Sequence, residues 1–286
     1  MKSKLYYITL LGILGWAMTT GETCFAAKFQ TIDKHYPIDP QKTLIVSVAV
    51  DAGQVKISAN EKLGEIHVWI EYDDRYDQIE INHNKGINEF FIAIDREDWL
   101  KSIEDDRAPK LSMALPTDVV IMLDSKIMAG EVKFELGDLR LKDFRLKNSA
   151  GEVKVDFPTP NQIEMELLEI DVKIGETRLR RLGNARFHQA RINGGIGELN
   201  IDFSGQGCTS ARADIDLDIG ATTIYLPREL GVRFDSATFG FLTQKQIDFD
   251  FEKKGRFYYS PGYGSSAQRL DCSISAGIGE LRVVYR

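Results

Sequence analysis

The stretch GGIGELNIDFSG, Gly194 to Gly205, returns in altered form as AGIGELRVVYR, Ala276 to Arg286, and this repetition decides the fold. Five more segments share its skeleton: a small residue or Ile, a Gly, a polar residue, then alternating apolar and polar residues. They are AGQVKISAN at Ala52, AGEVKFELG at Ala129, AGEVKVDFP at Ala150, IGETRLRRLG at Ile174 and IGATTIYLP at Ile219. Five successive glycines of the set, from Gly130 to Gly220, are separated by 21, 24, 22 and 23 residues. A period of this size predicts a solenoid, in which each coil buries its apolar face against the next coil.

Within each unit the apolar period is two residues. In GELNIDF, the apolar residues Leu199, Ile201 and Phe203 alternate with polar ones. This alternation places one set in a core and the other in water, as in a half-buried strand. The glycine before each strand suits a corner at which a Cβ atom would not fit. The sequence therefore predicts an all-β protein, a β-solenoid (β-helix-like) with about 20 to 24 residues per coil.

The N-terminus has the pattern of a secretory signal peptide. Lys2 and Lys4 precede the apolar run Leu5–Met18, and small residues follow near Ala26. We expect residues 1–26 to be removed, with an uncleaved anchor as the alternative. The mature chain is then predicted to be extracytoplasmic, whether periplasmic, at the cell surface or secreted, with no stable membrane insertion after cleavage.

The rest of the chain divides into two regions. Residues 27–110 are predicted to form an N-terminal β cap or first lobe, with a separate small sandwich as the alternative. This region contains the best helix candidate, DREDWLKSIEDD at Asp95–Asp106. Residues 111–286 are predicted to form the repeat β-solenoid, continuous with the first lobe.

The net charge of the chain disfavours two classes of partner. Without residues 1–26 the chain has 34 basic and 42 acidic residues. A chain this acidic is a poor candidate for binding nucleic acid or an anionic membrane surface.

Cys208 and Cys272 are the only cysteines that remain after removal of residues 1–26. In an oxidising compartment they are predicted to form a disulfide, with two buried thiols as the alternative.

Sequence motifs for catalysis and metal binding are missing. The four histidines, His35, His67, His83 and His188, are far apart in the sequence, with no two at metal-ligand spacing. No nucleophile elbow and no phosphate-binding loop occurs. We therefore expect no catalytic residue, no metal and no cofactor, and a protein that is not an enzyme.

Two acidic ladders are candidate functional groups. Asp214, Asp216 and Asp218 alternate along one predicted strand, and IDFDFEK places Asp248, Asp250 and Glu252 in the same way. Carboxylates of this kind could bind calcium or act on a polysaccharide. The favoured interpretation is a solvated strand face that stays charged against aggregation.

The aromatic stretch RFYYSPGYG is the strongest binding candidate. It interrupts the repeat, because Gly220 and Gly279 are 59 residues apart, and such an excursion usually forms a loop on one face. On such a loop, Phe257, Tyr258, Tyr259 and Tyr263 could stack on sugar rings or anchor a partner. The alternative is that they fold back over the core of the last coil.

The final strand, ELRVVYR, runs to the C-terminus with nothing after it to cap the stack. A solenoid end with unpaired backbone groups is a docking edge unless it is covered. We therefore expect either that FYYSPGYG shields this strand or that the chain associates with itself through it.

The phrase LSMALPTDVVIML, followed by the repeated AGEVK, GIGEL and IGATTIYLP units, resembles the bacterial putative-adhesin and toast-rack families of extracytoplasmic β-solenoid domains. The closing stretch, with Ser260–Tyr263 and the last glycine and strand, is similar to the C-terminal domain of LiaF-like cell-wall-active antibiotics response proteins. The resemblance implies a fold and carries no catalytic residues.

Two classes of function are consistent with these features. The first is a non-enzymatic, adhesin-like binding or interaction module of the envelope, whose partner is an envelope protein, a glycan or a second copy of the chain. The second is a polysaccharide-active enzyme on a β-solenoid. The resemblance adds a further alternative, an accessory protein of the cell-envelope stress response.

Overall fold

The structure is a computed structural model in which four ranges are described. These are residues 29–97, 108–207, 210–238 and 242–286. Among the described residues there are β-strands and a 3-10 turn at Leu182–Ala185, and no α-helix. The predicted all-β class is confirmed. The predicted signal peptide, residues 1–26, and most of the helix candidate Asp95–Asp106 lie outside the described residues. Across the same ranges, no helix has the length and apolar character needed to cross a bilayer.

Six of the described strands are 16 or 17 residues long, and the others have 3 to 9 residues. In chain order they are β1 (Phe29–Pro37), β2 (Leu44–Asn60), β3 (Glu65–Asp73), β4 (Asp77–Asn84), β5 (Glu89–Arg96), β6 (Lys110–Pro116), β7 (Val120–Glu135), β8 (Arg140–Asp156), β9 (Met165–Arg180), β10 (Phe187–Asn193), β11 (Ile196–Asp202), β12 (Ser210–Leu226), β13 (Gly231–Thr238), β14 (Thr243–Ile247), β15 (Glu252–Lys254), β16 (Phe257–Tyr259) and β17 (Arg269–Tyr285).

Each long strand contributes to two sheets, one with its first half and one with its second half. Sheet one runs β4–β5–β2–β7–β8–β9–β10–β12–β17–β13–β16–β15. Sheet two runs β1–β3–β6–β2–β7–β8–β9–β11–β12–β17–β14. Among the described strands, pairing is parallel through the middle of both sheets, and antiparallel pairs occur only near the two ends.

The repeated glycines mark the corner between the two sheets and stack in register. The stack contains Gly53, Gly130, Gly151, Gly175, Gly197, Gly220 and Gly279. Gly151 has φ +131°, and a Cβ atom added to it would lie 2.0 Å from the carbonyl oxygen of Gly130. Because both the backbone conformation and the close approach exclude a side chain, the corner requires glycine.

The core lies between the two sheets and is continuous from β2 to β17. The two-residue alternation of the sequence correctly places side chains in it: Leu199, Ile201 and Phe203 are at most 2% exposed. Residues of the predicted first lobe join the same core, since β2 pairs with β7 over the length of both sheets.

The sequence analysis expected the C-terminal strand to lie at the end of the stack, but the structure places it inside the stack. β17 pairs with β12 on one side and with β13 and β14 on the other. The chain leaves the stack after β12, builds β13 to β16 further out, and returns to fill the remaining position. β17 is therefore an interior strand, and β16 shields it only indirectly, by pairing with β13.

Candidate functional site

The predicted aromatic stretch lies in the excursion between β12 and β17, and its four rings do not share one environment. β16 pairs antiparallel with β13, which places Tyr258 opposite Phe234. The two rings stack with centroids 4.9 Å apart and planes at 10°, and Phe234 is fully buried. Tyr258 thus folds back onto the core, which is the alternative that the sequence left open.

The other three residues form a half-buried surface cluster, here called the aromatic face: Phe257, Tyr259 and Tyr263. Phe257 and Tyr259 project to the same side of β16 because side chains alternate along a strand. The ring of Tyr259 meets Phe257 at 6.4 Å and Tyr263 at 5.5 Å between centroids, both edge to face. Edge-to-face packing of this kind stabilises aromatic clusters.

Ser260 fixes the turn that brings Tyr263 to the cluster. Its hydroxyl accepts a hydrogen bond from the backbone N–H of Val232 at 2.8 Å, and its own N–H donates to the Val232 carbonyl at 2.9 Å. Ser260 is buried, and the turn closes with the Tyr263 N–H donating to the Ser260 carbonyl at 3.2 Å. The Ser-Pro-Gly-Tyr sequence therefore serves first to place the aromatic face.

Cationic side chains surround the aromatic face. Those whose charged groups lie over its rings are Arg233 and Arg256 on Phe257, at 5.3 and 4.7 Å, Lys254 on Tyr259 at 5.8 Å, and Arg269 on Tyr263 at 6.0 Å. Arg233 also pairs with Asp271 at 2.8 Å. These contacts fall in the range of cation–π interactions. They hold the rings in place and add basic character to the surface.

Tyr263 is held as a hydrogen-bond donor. Its hydroxyl donates to Asp271 Oδ1 at 2.9 Å. Burial raises the pKa of the Tyr263 hydroxyl, and the hydrogen bond to Asp271 raises that pKa further. The phenol therefore stays neutral across the physiological pH range, and the aromatic face combines flat apolar rings with a fixed polar edge.

The charge balance of this end differs from that of the whole chain. Residues 228–286 contain nine basic and seven acidic residues, whereas the full chain has a net charge of −7. The aromatic face thus lies on the more basic part of an acidic protein. Such a surface favours a neutral or anionic ligand over a cationic one.

A second exposed feature lies at the corner of the stack, here called the isoleucine ladder. It consists of Ile174, Ile196, Ile219 and Ile278, which pair in register across neighbouring strands. Each is 45 to 55% exposed. The glycine that follows each of them turns the strand, so these side chains point out of the corner into solvent.

The two acidic ladders are solvated or ion-paired. Asp214 and Asp218 are exposed on β12. In the second ladder, Asp250 pairs with Arg228 at 3.0 Å and Glu252 pairs with Lys254 at 2.9 Å. Within the described ranges, neither ladder contributes to a group of three side chains close enough to hold a metal. The described geometry agrees with a charged surface face.

The histidines are the site residues that the sequence analysis missed. His35 on β1 and His67 on β3 are direct partners in the antiparallel pairing, although 31 residues separate them. Their rings stack with centroids 4.4 Å apart, and Asp33 lies beside them. These two histidines, which are distant in the sequence, therefore lie side by side in the structure. Only the register of β1 against β3 could have shown it, because both strands read as ordinary alternating segments.

The predicted disulfide stays a prediction. Cys208 lies outside the described residues, whereas Cys272 on β17 is buried at 6% exposure. Among the described residues Cys272 has no disulfide partner. Burial raises the pKa of the Cys272 thiol well above its usual range, and the nearby Asp271 raises it further. Such a thiol is unreactive in the folded chain.

The family is defined by the N-terminal part of the chain. Residues 25–166 match the family model for the N-terminal domain of toast_rack, DUF2154. This part of the chain belongs to the toast-rack family, as the repeated phrases predicted. No curated protein is significantly similar to it.

Several solved structures align with most of this chain at low sequence identity. A "putative cell adhesion protein" from Clostridium sporogenes is 16% identical, with a TM-score of 0.43, and the alignment covers 90% of this chain and all of that one. A "putative adhesin" from Bacteroides fragilis is 13% identical, with a TM-score of 0.39 and coverage of 89% and 97%. A "putative lipid binding protein" from Parabacteroides distasonis is 9% identical, with a TM-score of 0.32 and coverage of 90% and 96%. With TM-scores below 0.5, these alignments carry no argument about the function of this chain.

Proposed function

We propose that the chain is a non-enzymatic, adhesin-like binding module of the extracytoplasmic envelope, and that it binds a glycan through the aromatic face. The observation that carries this proposal is the half-buried cluster of Phe257, Tyr259 and Tyr263, with the Tyr263 hydroxyl and Arg233 fixed beside it by Asp271. Aromatic rings offer flat apolar area at low entropic cost, and adjacent polar groups orient a ligand.

The charges beside the rings support binding rather than hydrolysis. A glycoside hydrolase needs two carboxyl groups on either side of the scissile bond, one of which donates a proton. Asp271 accepts from Tyr263 and pairs with Arg233, and Asp235 lies 3.7 Å from Arg256. Carboxylates engaged in this way serve as structural anchors. This argues against the alternative of a polysaccharide-active enzyme at this face.

The architecture supports the same proposal. We infer a β-solenoid with coils of about 20 to 24 residues, supported by the in-register glycine stack from Gly130 to Gly220. Residues 27–110 would then form its first lobe, and residues 111–286 the repeat body. A rigid elongated body with a specialised end suits a protein that presents a binding surface away from its point of attachment.

A glycan array and a cell-wall pull-down test the proposal. The parent chain is compared with a Tyr259→Ala/Tyr263→Ala variant, which spares the core residue Tyr258. Tyr76→Ala is the matched control, because Tyr76 is also exposed and lies under two guanidinium groups, those of Arg75 and Arg96. Circular dichroism must show that all three proteins are folded.

We expect the parent and the Tyr76 variant to bind the same glycan class equally. Each lost ring should weaken binding about tenfold or more, since buried aromatic anchors contribute roughly 1–2 kcal/mol. Equal binding by the double variant would refute the role of the aromatic face. If the parent bound no glycan, the glycan proposal would fail, and the isoleucine ladder would become the surface to test against protein partners.

A further inference from the structure

The histidine pair on the N-terminal edge of sheet two is organised beyond what strand pairing requires. β1 and β3 place His35 directly opposite His67, and the two rings are nearly parallel, with planes at 7°. One ligand atom each from His35, His67 and Asp33 lies within 4.8 Å of the other two. Each residue contributes a donor that divalent transition metals accept, imidazole nitrogen or carboxylate oxygen.

Carboxylates orient both rings. Glu65 Oε1 lies 2.7 Å from Nδ1 of His35, and Asp33 Oδ1 lies 2.8 Å from Nε2 of His67. An ionised carboxylate can only accept hydrogen bonds, so the hydrogen between Glu65 and His35 belongs to Nδ1. A neutral His35 then carries its lone pair on Nε2. A carboxylate behind a ligating histidine is the usual arrangement at protein metal sites.

We propose that His35, His67 and Asp33 form a binding site for a divalent transition metal of the zinc class, with Glu65 as a positioning residue for His35. The ion takes the place of the proton between Asp33 and His67. Ligand atoms around a tetrahedral zinc are about 3.3 Å apart, given bonds of about 2.0–2.1 Å. Small side-chain rotations therefore bring the three atoms together, and water completes the coordination.

The site is accessible, and it would fasten an edge strand. The side chains of His35 and Asp33 are 51% and 62% exposed, and that of His67 is 37% exposed. β1 pairs with β3 and forms the border of sheet two. An ion bound to residues of both strands would cross-link them. This inference is independent of the proposed glycan binding, because it uses none of the residues of the aromatic face.

Calorimetric titration of the purified, metal-free chain with Zn²⁺ alone tests the proposal. The variants are His35→Gln, His67→Gln and Glu65→Gln. His188→Gln is the matched control, because His188 also faces a carboxylate, with Nε2 3.1 Å from Glu164 Oε2. Among the described residues, His188 belongs to no group of three side chains that could hold a metal. Hydrogen exchange of the β1 amides, with and without Zn²⁺, gives a second readout that does not depend on heat signals.

We expect one equivalent of Zn²⁺ to bind to the parent and to the His188 variant, and to slow amide exchange in β1. Binding should fall below detection in the His35 and His67 variants. It should weaken about 10- to 100-fold in Glu65→Gln, the usual effect of losing an orienting carboxylate. The proposal is overturned if the folded parent binds no Zn²⁺, if His67→Gln binds as tightly as the parent, or if His188→Gln loses binding to the same extent.

Discussion

Replacing Gly151 with alanine should strongly destabilise the protein. Gly151 has φ +131°, a conformation that residues with a side chain rarely adopt. The added Cβ atom would lie 2.0 Å from the carbonyl oxygen of Gly130, where ordinary contacts are at 3.4 Å or more. Because the obstacle is backbone, no side-chain rotation relieves the overlap, and the two stacked strands must separate.

The size of the effect follows from these two terms. A residue forced into a sparsely populated backbone region costs about 1–3 kcal/mol. Opening the corner by more than 1 Å also strains the hydrogen bonds on both sides, since Gly151 pairs with Gly130 and with Gly175. We therefore expect a loss of about 3–5 kcal/mol in the free energy of unfolding, in the range of the largest point-mutation effects.

Gly64→Ala separates the two terms. Gly64 has φ +70°, but nothing lies within 4 Å of its Cβ position. It should lose only about 1–2 kcal/mol, the cost of the left-handed conformation. Urea unfolding followed by circular dichroism measures both variants. If Gly151→Ala lost no more stability than Gly64→Ala, the argument that close stacking imposes glycine at the corner would be refuted.

Two further predictions concern buried groups. Among the described residues, the buried Thr222 hydroxyl has no hydrogen-bond partner, and Thr222 lies between Leu199 and Leu281 on the neighbouring strands. Thr222→Val should therefore stabilise the chain by about 1 kcal/mol and raise its Tm by a few degrees in a calorimetric scan. A lower Tm would show that the hydroxyl makes a hydrogen bond in the folded chain. The Cys272 thiol should not react with a thiol reagent at pH 8 until the chain is denatured, since burial raises its pKa. Absence of any thiol reaction in denaturant would instead indicate the predicted disulfide with Cys208.

The repeated part of the fold was predictable because it is determined by short sequence patterns, the apolar alternation of each strand and the spacing of the glycines. The alternation of GELNIDF placed Leu199, Ile201 and Phe203 in the core. The glycine spacing predicted which residues stack, and the register pairs Gly151 with Gly175 as expected. Each of these inferences needs only a short window of sequence, because strand periodicity and corner geometry are properties of neighbouring residues.

The order of strands at the ends was not predictable, because it depends on contacts between distant segments. β17 is last in the chain but pairs on both sides, with β12 and with β13 and β14. The histidine pair depends likewise on the register of β1 against β3, which a shift of one residue would destroy. For the aromatic stretch, the sequence found the right segment but could not decide which ring faces inward.

Each of the two candidate sites lies near an end of the sheets, outside the repeated body. This position has a physical reason. In the repeated body each long strand must match its neighbours, so most inward positions are apolar and the corner between the two sheets is a glycine. The segments before β7 and between β12 and β17 pair antiparallel near the ends of the sheets. They also pair with β2 and β17, the outermost of the long strands, whose backbone groups would otherwise be open to edge-to-edge association.

Because these end segments do not have to match the repeated strands, they can place residues of different chemical types side by side. One brings His35 to His67, and the other gathers Phe257, Tyr259 and Tyr263. Both proposed binding sites therefore lie in the segments that end the stack. If binding of zinc and of a glycan both depended on residues of these ends, and not on the coils between them, the repeated body would act as a spacer between two recognition surfaces.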